Sequence, residues 1–307
     1  MLIMAWIFIL IVSLFTLIKA SDYFTTSAEK IGIFFGIPSF IIGVTAVAFG
    51  TSMPELVSSI FAVIKKSPEI VAGNVVGSNI CNIFLVLGLS AVISKKIKLK
   101  HEIMHVDLPF LIGSSFILAI FISDGIFNLA EAIISILGMI LYLSYSASAR
   151  RYKIEERGDK IWKSFAIFII SAFFIYLGAK YTIKSVIQIS EILHIGKEII
   201  AVSIVALGTS LPELMVSLMA AKKGFSEIAV GNILGSNIFN TFAVMGIPAL
   251  IMPFSIPKSI ITIALPLMII ATLLFVLITY DKEITRWEGY LLLIFYAIFI
   301  AKMFGMF

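Results

Sequence analysis

Cysteine is almost missing from this chain: Cys81 is the single thiol among 307 residues. An intramolecular disulfide is thereby excluded, the redox compartment stays open, and small apolar packing is the role left to that side chain. Charge is scarce too. Asp, Glu, Lys and Arg make up 13% of the chain and apolar residues 60%, whereas soluble domains carry about 25% charged residues. That deficit excludes a soluble globular domain and points to a polytopic membrane protein. The net charge of +5 does not mark a nucleic-acid partner, because the basic residues sit in short connections between apolar runs. No aromatic cofactor box is present: Trp6, Trp162 and Trp287 fall near the ends of apolar runs, as interfacial anchors do.

A spanning helix needs about 20 apolar residues. By that measure the chain contains ten, at roughly 2–18, 37–64, 70–94, 105–123, 127–148, 162–186, 198–221, 227–251, 258–280 and 287–306. The first has neither a basic leader nor a small-residue cleavage site, and reads as a retained helix, not a signal peptide. With the N-terminus outside, 16 of the 23 Lys and Arg fall on the inner side, among them Lys19, Lys30 and the run from Lys95 to Lys100. Basic residues gather on the cytoplasmic side, so both termini are expected to face out of the cell membrane.

What the chain has in strength is a repeat. Gly50-Thr51-Ser52-Met53-Pro54-Glu55 returns as Gly208-Thr209-Ser210-Leu211-Pro212-Glu213, and Gly73-Asn74 through Asn82 returns as Gly231-Asn232 through Asn240. The offset is 158 in both cases (208 less 50, and 231 less 73). The longest polar stretch, Ser148 to Lys163, divides the chain into a five-helix half at 1–148, a cytoplasmic linker at 149–161 and a second five-helix half at 162–307. Five is odd, so the second half enters the membrane from the other side. The expected fold is all-α, ten transmembrane helices arranged as two inverted five-helix repeats.

Each copy puts a carboxylate, a proline and a glycine inside an apolar span. An isolated charge at the bilayer centre costs from about 2.5 kcal/mol upward, so the carboxylates call for a function. Pro54 lacks an N–H, and a helix entering from Gly43 is expected to break near Gly50-Thr51, with Ser52 capping a new helix. Such a break frees carbonyls around Ala48 and Thr51 beside Glu55. By symmetry Ala206, Thr209, Ser210 and Glu213 do the same. Ser78 and Asn82 lie at i and i+4, as do Ser236 and Asn240, and each pair projects to one side. Gly73 and Gly77, with Gly231 and Gly235, make small faces for close helix approach. Asn74, Asn79, Asn232 and Asn237 either ligate directly or hydrogen-bond freed backbone. The donors are all oxygen, with no thiolate or imidazole, which suits a hard cation, Ca²⁺ first. Two carboxylates neutralise one Ca²⁺ or two Na⁺. Competition of those ions for one site is the core of an exchanger.

These motifs resemble the cation/calcium exchanger superfamily, and within it the compact prokaryotic sodium/calcium exchangers. Gly43-x-Thr45-x-x-Ala48-x-Gly50-Thr51-Ser52-x-Pro54-Glu55 and Gly73-Asn74-x-x-Gly77-Ser78-Asn79-x-x-Asn82 look like its first signature repeat, and 201–240 looks like the second. The resemblance implies antiport of three Na⁺ against one Ca²⁺ by alternating access, with the first and sixth spans sliding across a rigid bundle. It also implies that Glu55 and Glu213 bind calcium with the carbonyls of Thr51 and Thr209, and that sodium sites add Ala48, Ser78, Ala206 and Ser236. No cofactor is implied, membrane lipid is the surrounding partner, and a monomer is expected. Some relatives carry Asp where this chain has Asn240, which makes potassium co-transport less favoured here. Proton-coupled relatives place an acid soon after a Gly-Asn pair. Here the glycine-serine pairs Gly77-Ser78 and Gly235-Ser236 follow instead, favouring sodium over a proton/calcium antiporter.

Two rivals come from other classes. His101-Glu102-Ile103-Met104-His105 matches the H-E-x-x-H pattern, which on a helix sets two imidazoles on one face and would make an intramembrane zinc metalloprotease. The pentapeptide occurs once, next to a lysine run, with no third ligand following. An ion channel is the other rival, distinguished by needing no counter-ion. Asp107 and Glu131 read as interface residues, and His194 as solvated.

Overall fold

Apolar length sets the architecture. In the computed structural model, which describes residues 2–65, 68–148, 161–192, 210–303 and 306, the chain runs through α1 (Leu2–Phe35), α2 (Ser39–Ile64), α3 (Ile70–Ser94), α4 (Asp107–Phe121) and α5 (Leu129–Ala147). It continues through α6 (Ile161–Ile192), α7 (Leu211–Lys222), α8 (Ser226–Ile251), α9 (Ile260–Thr279) and α10 (Arg286–Met303). Eight of these, all but α7 and α10, are long and apolar enough to cross a membrane. The described part of α7 is 12 residues, and α10 carries Arg286, Glu288 and Lys302.

Helix α1 is far longer than the expected 2–18 span, and Lys19 and Lys30 lie on it, not in a connection. The reason is a buried stripe that does not stop at Ile18: Leu17, Ala20, Ser21, Phe24, Thr25, Ala28 and Ile31 recur every three or four residues. Asp22 is tolerated there because Lys223, just past α7, pairs with it at 2.7 Å. Phe24 stacks on Phe168 of α6 with ring centroids 4.3 Å apart. Gly178 of α6 meets Leu17 so closely that a Cβ would sit 2.9 Å from the Leu17 side chain.

Helix α8 is the centre of the fold, with every residue from Ile228 to Asn240 buried. Its glycines let α2 in. A Cβ on Gly231 would lie 2.5 Å from the Phe40 carbonyl, and one on Gly43 would lie 2.8 Å from the Ile228 carbonyl. The expected close approach is therefore real for Gly231 and Gly235. Nothing among the described residues lies within 4 Å of a Cβ built on Gly77. Gly224, with φ of +82°, turns the chain between α7 and α8 in the left-handed conformation that favours glycine.

The expected break at Gly50-Thr51 is not where the irregularity lies. The chain is α-helical from Ala48 to Ile64 with Pro54 inside, and the departure is a π-helical turn at Gly43–Val47. Pro54 still denies Gly50 its i+4 donor. Ser52 is mid-helix and caps nothing, while Ser210 precedes α7 without capping it. Of the three further π-turns among the described residues, one opens α9 at Ile260–Ala264 and two open at Asn82 and Asn240, 158 residues apart. Such turns frequently mark functional sites.

The all-α expectation also missed two short antiparallel ladders. Strand β1 (Lys96–Lys98) pairs with β4 (Glu283–Thr285), Lys96 opposite Thr285. Strand β2 (Ile126–Phe127) pairs with β3 (Phe254–Ser255), Phe127 opposite Phe254. Adding 158 to Lys96 gives Phe254, and to Phe127 gives Thr285, so each ladder is the other's counterpart.

Candidate functional site

Glu55 on α2 and Glu213 on α7 are both fully buried, and Glu55 lies within electrostatic reach of Glu213. Neither faces lipid. Among the described residues, no Lys, Arg or His forms an ion pair with either. Ser52 Oγ donates to Glu213 Oε1 at 2.8 Å and lies 3.0 Å from Ser236 Oγ on α8. Thr51 Oγ1 donates to Asn232 Oδ1 at 3.0 Å and lies 3.3 Å from the Ala48 carbonyl. The motifs of opposite halves are thus interleaved: residues of α2 bond residues of α7 and α8.

The asparagines divide by task. Asn74 donates to Ser59 Oγ at 3.2 Å and to the Glu55 carbonyl at 3.4 Å, and its counterpart Asn232 donates to Ser217 Oγ at 2.9 Å. These two brace the acidic helices. Asn82 and Asn240, at the starts of their π-turns, are fully buried. Asn240 Nδ2 donates to Asn79 Oδ1 at 3.2 Å. Ser78 and Ala48 are buried, and Ser210 is buried beside Glu213 in sequence. Ala206 and Thr209 lie outside the described residues, as does His194.

A buried polar atom is ordinarily hydrogen-bonded. Here both carboxylate oxygens of Glu55, Oε2 of Glu213, Oγ of Ser210, both amide atoms of Asn82 and Oδ1 of Asn240 have no partner among the described residues. Most are acceptors. Two uncompensated carboxylates in a low-dielectric interior cost several kcal/mol each, and a cation offsets that cost. An oxygen-rich set with formal charge −2 suits one divalent or two monovalent hard cations.

The zinc alternative fails on geometry. Residues 101–106 are not helical, so the two imidazoles do not share a helix face. His101 stacks on Phe40 at 4.7 Å and its Nε2 lies 3.5 Å from Asp107 Oδ2. Glu102 pairs with Lys282 and accepts from the Met104 amide. Asp107 opens α4 and is not solvent-facing: it is fully buried and accepts from the Tyr142 hydroxyl at 3.0 Å. Glu131 reciprocally caps α5 with Asn128. The Asp107 cluster was invisible beforehand because Tyr142 lies on another span, 35 residues away. Asn79 Nδ2 donates to Thr241 Oγ1 at 3.1 Å, and the one sequence signal of that bond is the hydroxyl of Thr241 standing where the first half has Ile83.

A family model described as sodium/calcium exchanger protein matches residues 5–147 and 163–305. The sequence is 34% identical to the sodium/calcium exchanger MaX1 of Methanosarcina acetivorans, over 96% of this chain and 97% of the relative. It is 36% identical to an uncharacterised membrane protein of Methanocaldococcus jannaschii, over 95% and 96%. The structure is similar to that of the sodium-calcium exchanger NCX_Mj soaked with Na⁺ and Sr²⁺, with a TM-score of 0.88 and 32% identity over 97% of this chain and 99% of that one. Matched in both halves and along nearly its whole length, the chain belongs to the sodium/calcium exchanger protein family, whose members are membrane transporters and not enzymes.

Proposed function

We propose that the protein is a secondary antiporter that exchanges Na⁺ for Ca²⁺ across the cell membrane by alternating access. The carrying observation is the pair of fully buried carboxylates, Glu55 and Glu213, whose unpartnered oxygens sit where opposite halves interleave. In this reading both ions are substrates and compete for one oxygen cage. Glu55, Glu213, Thr51, Thr209, Ser52, Ser210, Asn82 and Asn240 form the shared oxygen cage that takes Ca²⁺, and Ala48, Ala206, Ser78 and Ser236 extend it to Na⁺. A neutral Asn240 keeps the cage at −2, which one Ca²⁺ neutralises.

The finer fold is ten spans in two inverted five-helix halves, at 1–148 and 162–307 with a cytoplasmic linker at 149–161. The two-part family match, the paired π-turns and the interchangeable ladders support it. The β1–β4 ladder gathers Lys95, Lys96, Lys98, Lys282 and Arg286 at one end. Basic residues favour the cytoplasm, so that end is inner, both termini are outer, and the molecule works as a monomer in lipid.

The test is Ca²⁺ uptake by proteoliposomes preloaded with Na⁺. Uptake should need the outward Na⁺ gradient, and Glu55→Gln and Glu213→Gln should abolish it while the protein stays folded. Uptake driven equally by a proton gradient would transfer the assignment to proton coupling. Uptake with no counter-ion would make the protein a channel.

A further inference from the structure

An asparagine amide has two faces, and one of the two candidate ligand asparagines has its face chosen for it. Asn240 Nδ2 donates to Asn79 Oδ1 at 3.2 Å, which leaves Asn240 Oδ1 fully buried with no donor among the described residues. Asn79 cannot itself turn over. Its Nδ2 donates to Thr241 Oγ1 at 3.1 Å and to the Asn237 carbonyl at 3.4 Å. A flipped Asn79 would set its amide against the Asn240 amide and its oxygen against a carbonyl.

The other half lacks this device. Asn237, the counterpart of Asn79, donates to the Ile233 carbonyl of its own helix at 2.6 Å, and both amide atoms of Asn82 are unpartnered among the described residues. The counterpart of Thr241 is Ile83, which has no hydroxyl. Halves related by sequence therefore differ in preorganisation: one amide is held, its twin is not.

We infer that Asn79, oriented by the accept-only Asn237 carbonyl and held by Thr241, is a positioning residue that locks the Asn240 amide with its oxygen presented to the transported cation. The inference rests on the proposed exchange at this site. It makes the second half the preorganised side of the cage and Asn82 the side that adapts. An amide turned the wrong way offers N–H₂ to a cation, which costs affinity twice, through a lost ligand and an added repulsion.

The experiment is Na⁺-driven Ca²⁺ uptake over a graded Ca²⁺ series, with Asn79→Leu measured in two backgrounds. In the natural sequence Asn79→Leu should raise the half-maximal Ca²⁺ concentration by about ten-fold, with the maximal rate little changed. In an Asn240→Asp background the same substitution should not weaken affinity, because a carboxylate presents oxygen in either orientation. Equal weakening in both backgrounds, or none in either, would overturn the inference and show a packing role alone. If Asn79→Leu does not fold, Asn79→Ala decides in its place: a shift in the half-maximal Ca²⁺ concentration of about ten-fold, also removed by Asn240→Asp, supports the lock, and no shift overturns it. Glu55→Gln run in parallel separates the two claims. Full exchange in that variant removes the underlying reading, whereas loss of exchange beside a silent Asn79→Leu removes the lock alone.

Discussion

Ser52 and Glu213, from opposite halves of the chain, are joined by a 2.8 Å hydrogen bond, whereas the mirrored pair Ser210 and Glu55 is not. The two acids are therefore inequivalent: one oxygen of Glu213 is already engaged, and both oxygens of Glu55 are unpartnered among the described residues. A hydrogen bond to a charged group contributes about 1.5–3 kcal/mol. Ser52→Ala should raise the half-maximal Ca²⁺ concentration by about ten-fold or more, and Ser210→Ala by less. Initial uptake rates over a Ca²⁺ series check this; equal effects of the two substitutions would contradict the inequivalence.

The glycines of α8 make a second prediction. Gly231 faces backbone, since its added Cβ would sit 2.5 Å from the Phe40 carbonyl, and backbone cannot swing aside as a long side chain can. Gly231→Ala should destabilise by about 1–3 kcal/mol or more through overpacking. Gly113 on α4 has open space around its added Cβ among the described residues, so Gly113→Ala should be neutral or stabilise by up to about 1 kcal/mol. Thermal unfolding monitored by size-exclusion recovery in detergent distinguishes the two.

Asp107 supplies a stability prediction separate from transport. Its buried carboxylate has Tyr142 as a hydroxyl donor and His101 as a close neighbour. Tyr142→Phe removes that donor and should cost about 1–3 kcal/mol. The thermal midpoint should fall while uptake per folded molecule is unchanged. A lowered uptake per folded molecule would instead place this cluster on the ion route.

The basic end of the fold carries a pH signature. Lys282 holds the Glu102 carboxyl below its ordinary range, and Lys96 does the same for Glu283, with which it pairs at 2.5 Å. A carboxyl lowered on folding stabilises above its unfolded value, near pH 4.3, and that contribution disappears as pH falls through the lowered folded value. Both acids are exposed, so the effect is small and screened by salt. Glu283→Gln should lower the thermal midpoint slightly at neutral pH. The gap should close on acidification below about pH 4. A gap that persists there would assign it to packing.

The sequence carried the membrane class, the duplication and the two acids, because each depends on composition or on identical residues at a fixed offset. Gly50, Pro54 and Glu55 announced an irregular helix, yet the irregularity falls at Gly43–Val47. A proline marks a missing donor at Gly50, but the helix stays α-helical around it, and the widened turn falls upstream, where Gly43 lies against α8. The length of α1 was hidden because Asp22 and Lys30 look like loop residues until Lys223 and the α6 face are known. The burial of Asp107 was hidden for the same reason: it depends on Tyr142, a span away. Two- and three-residue strands carry no period to read.

The paired ladders also order the birth of the molecule. Lys96–Lys98 closes against Glu283–Thr285, and a ribosome adding about 5–20 residues per second reaches that partner roughly 10–40 s later. Over that interval the first half waits in the bilayer with a lysine-bearing edge unmatched, and its opposite rim waits likewise for Phe254. Neither half can finish alone, so a nascent chain released early would carry two open seams for the insertion machinery or a protease to find.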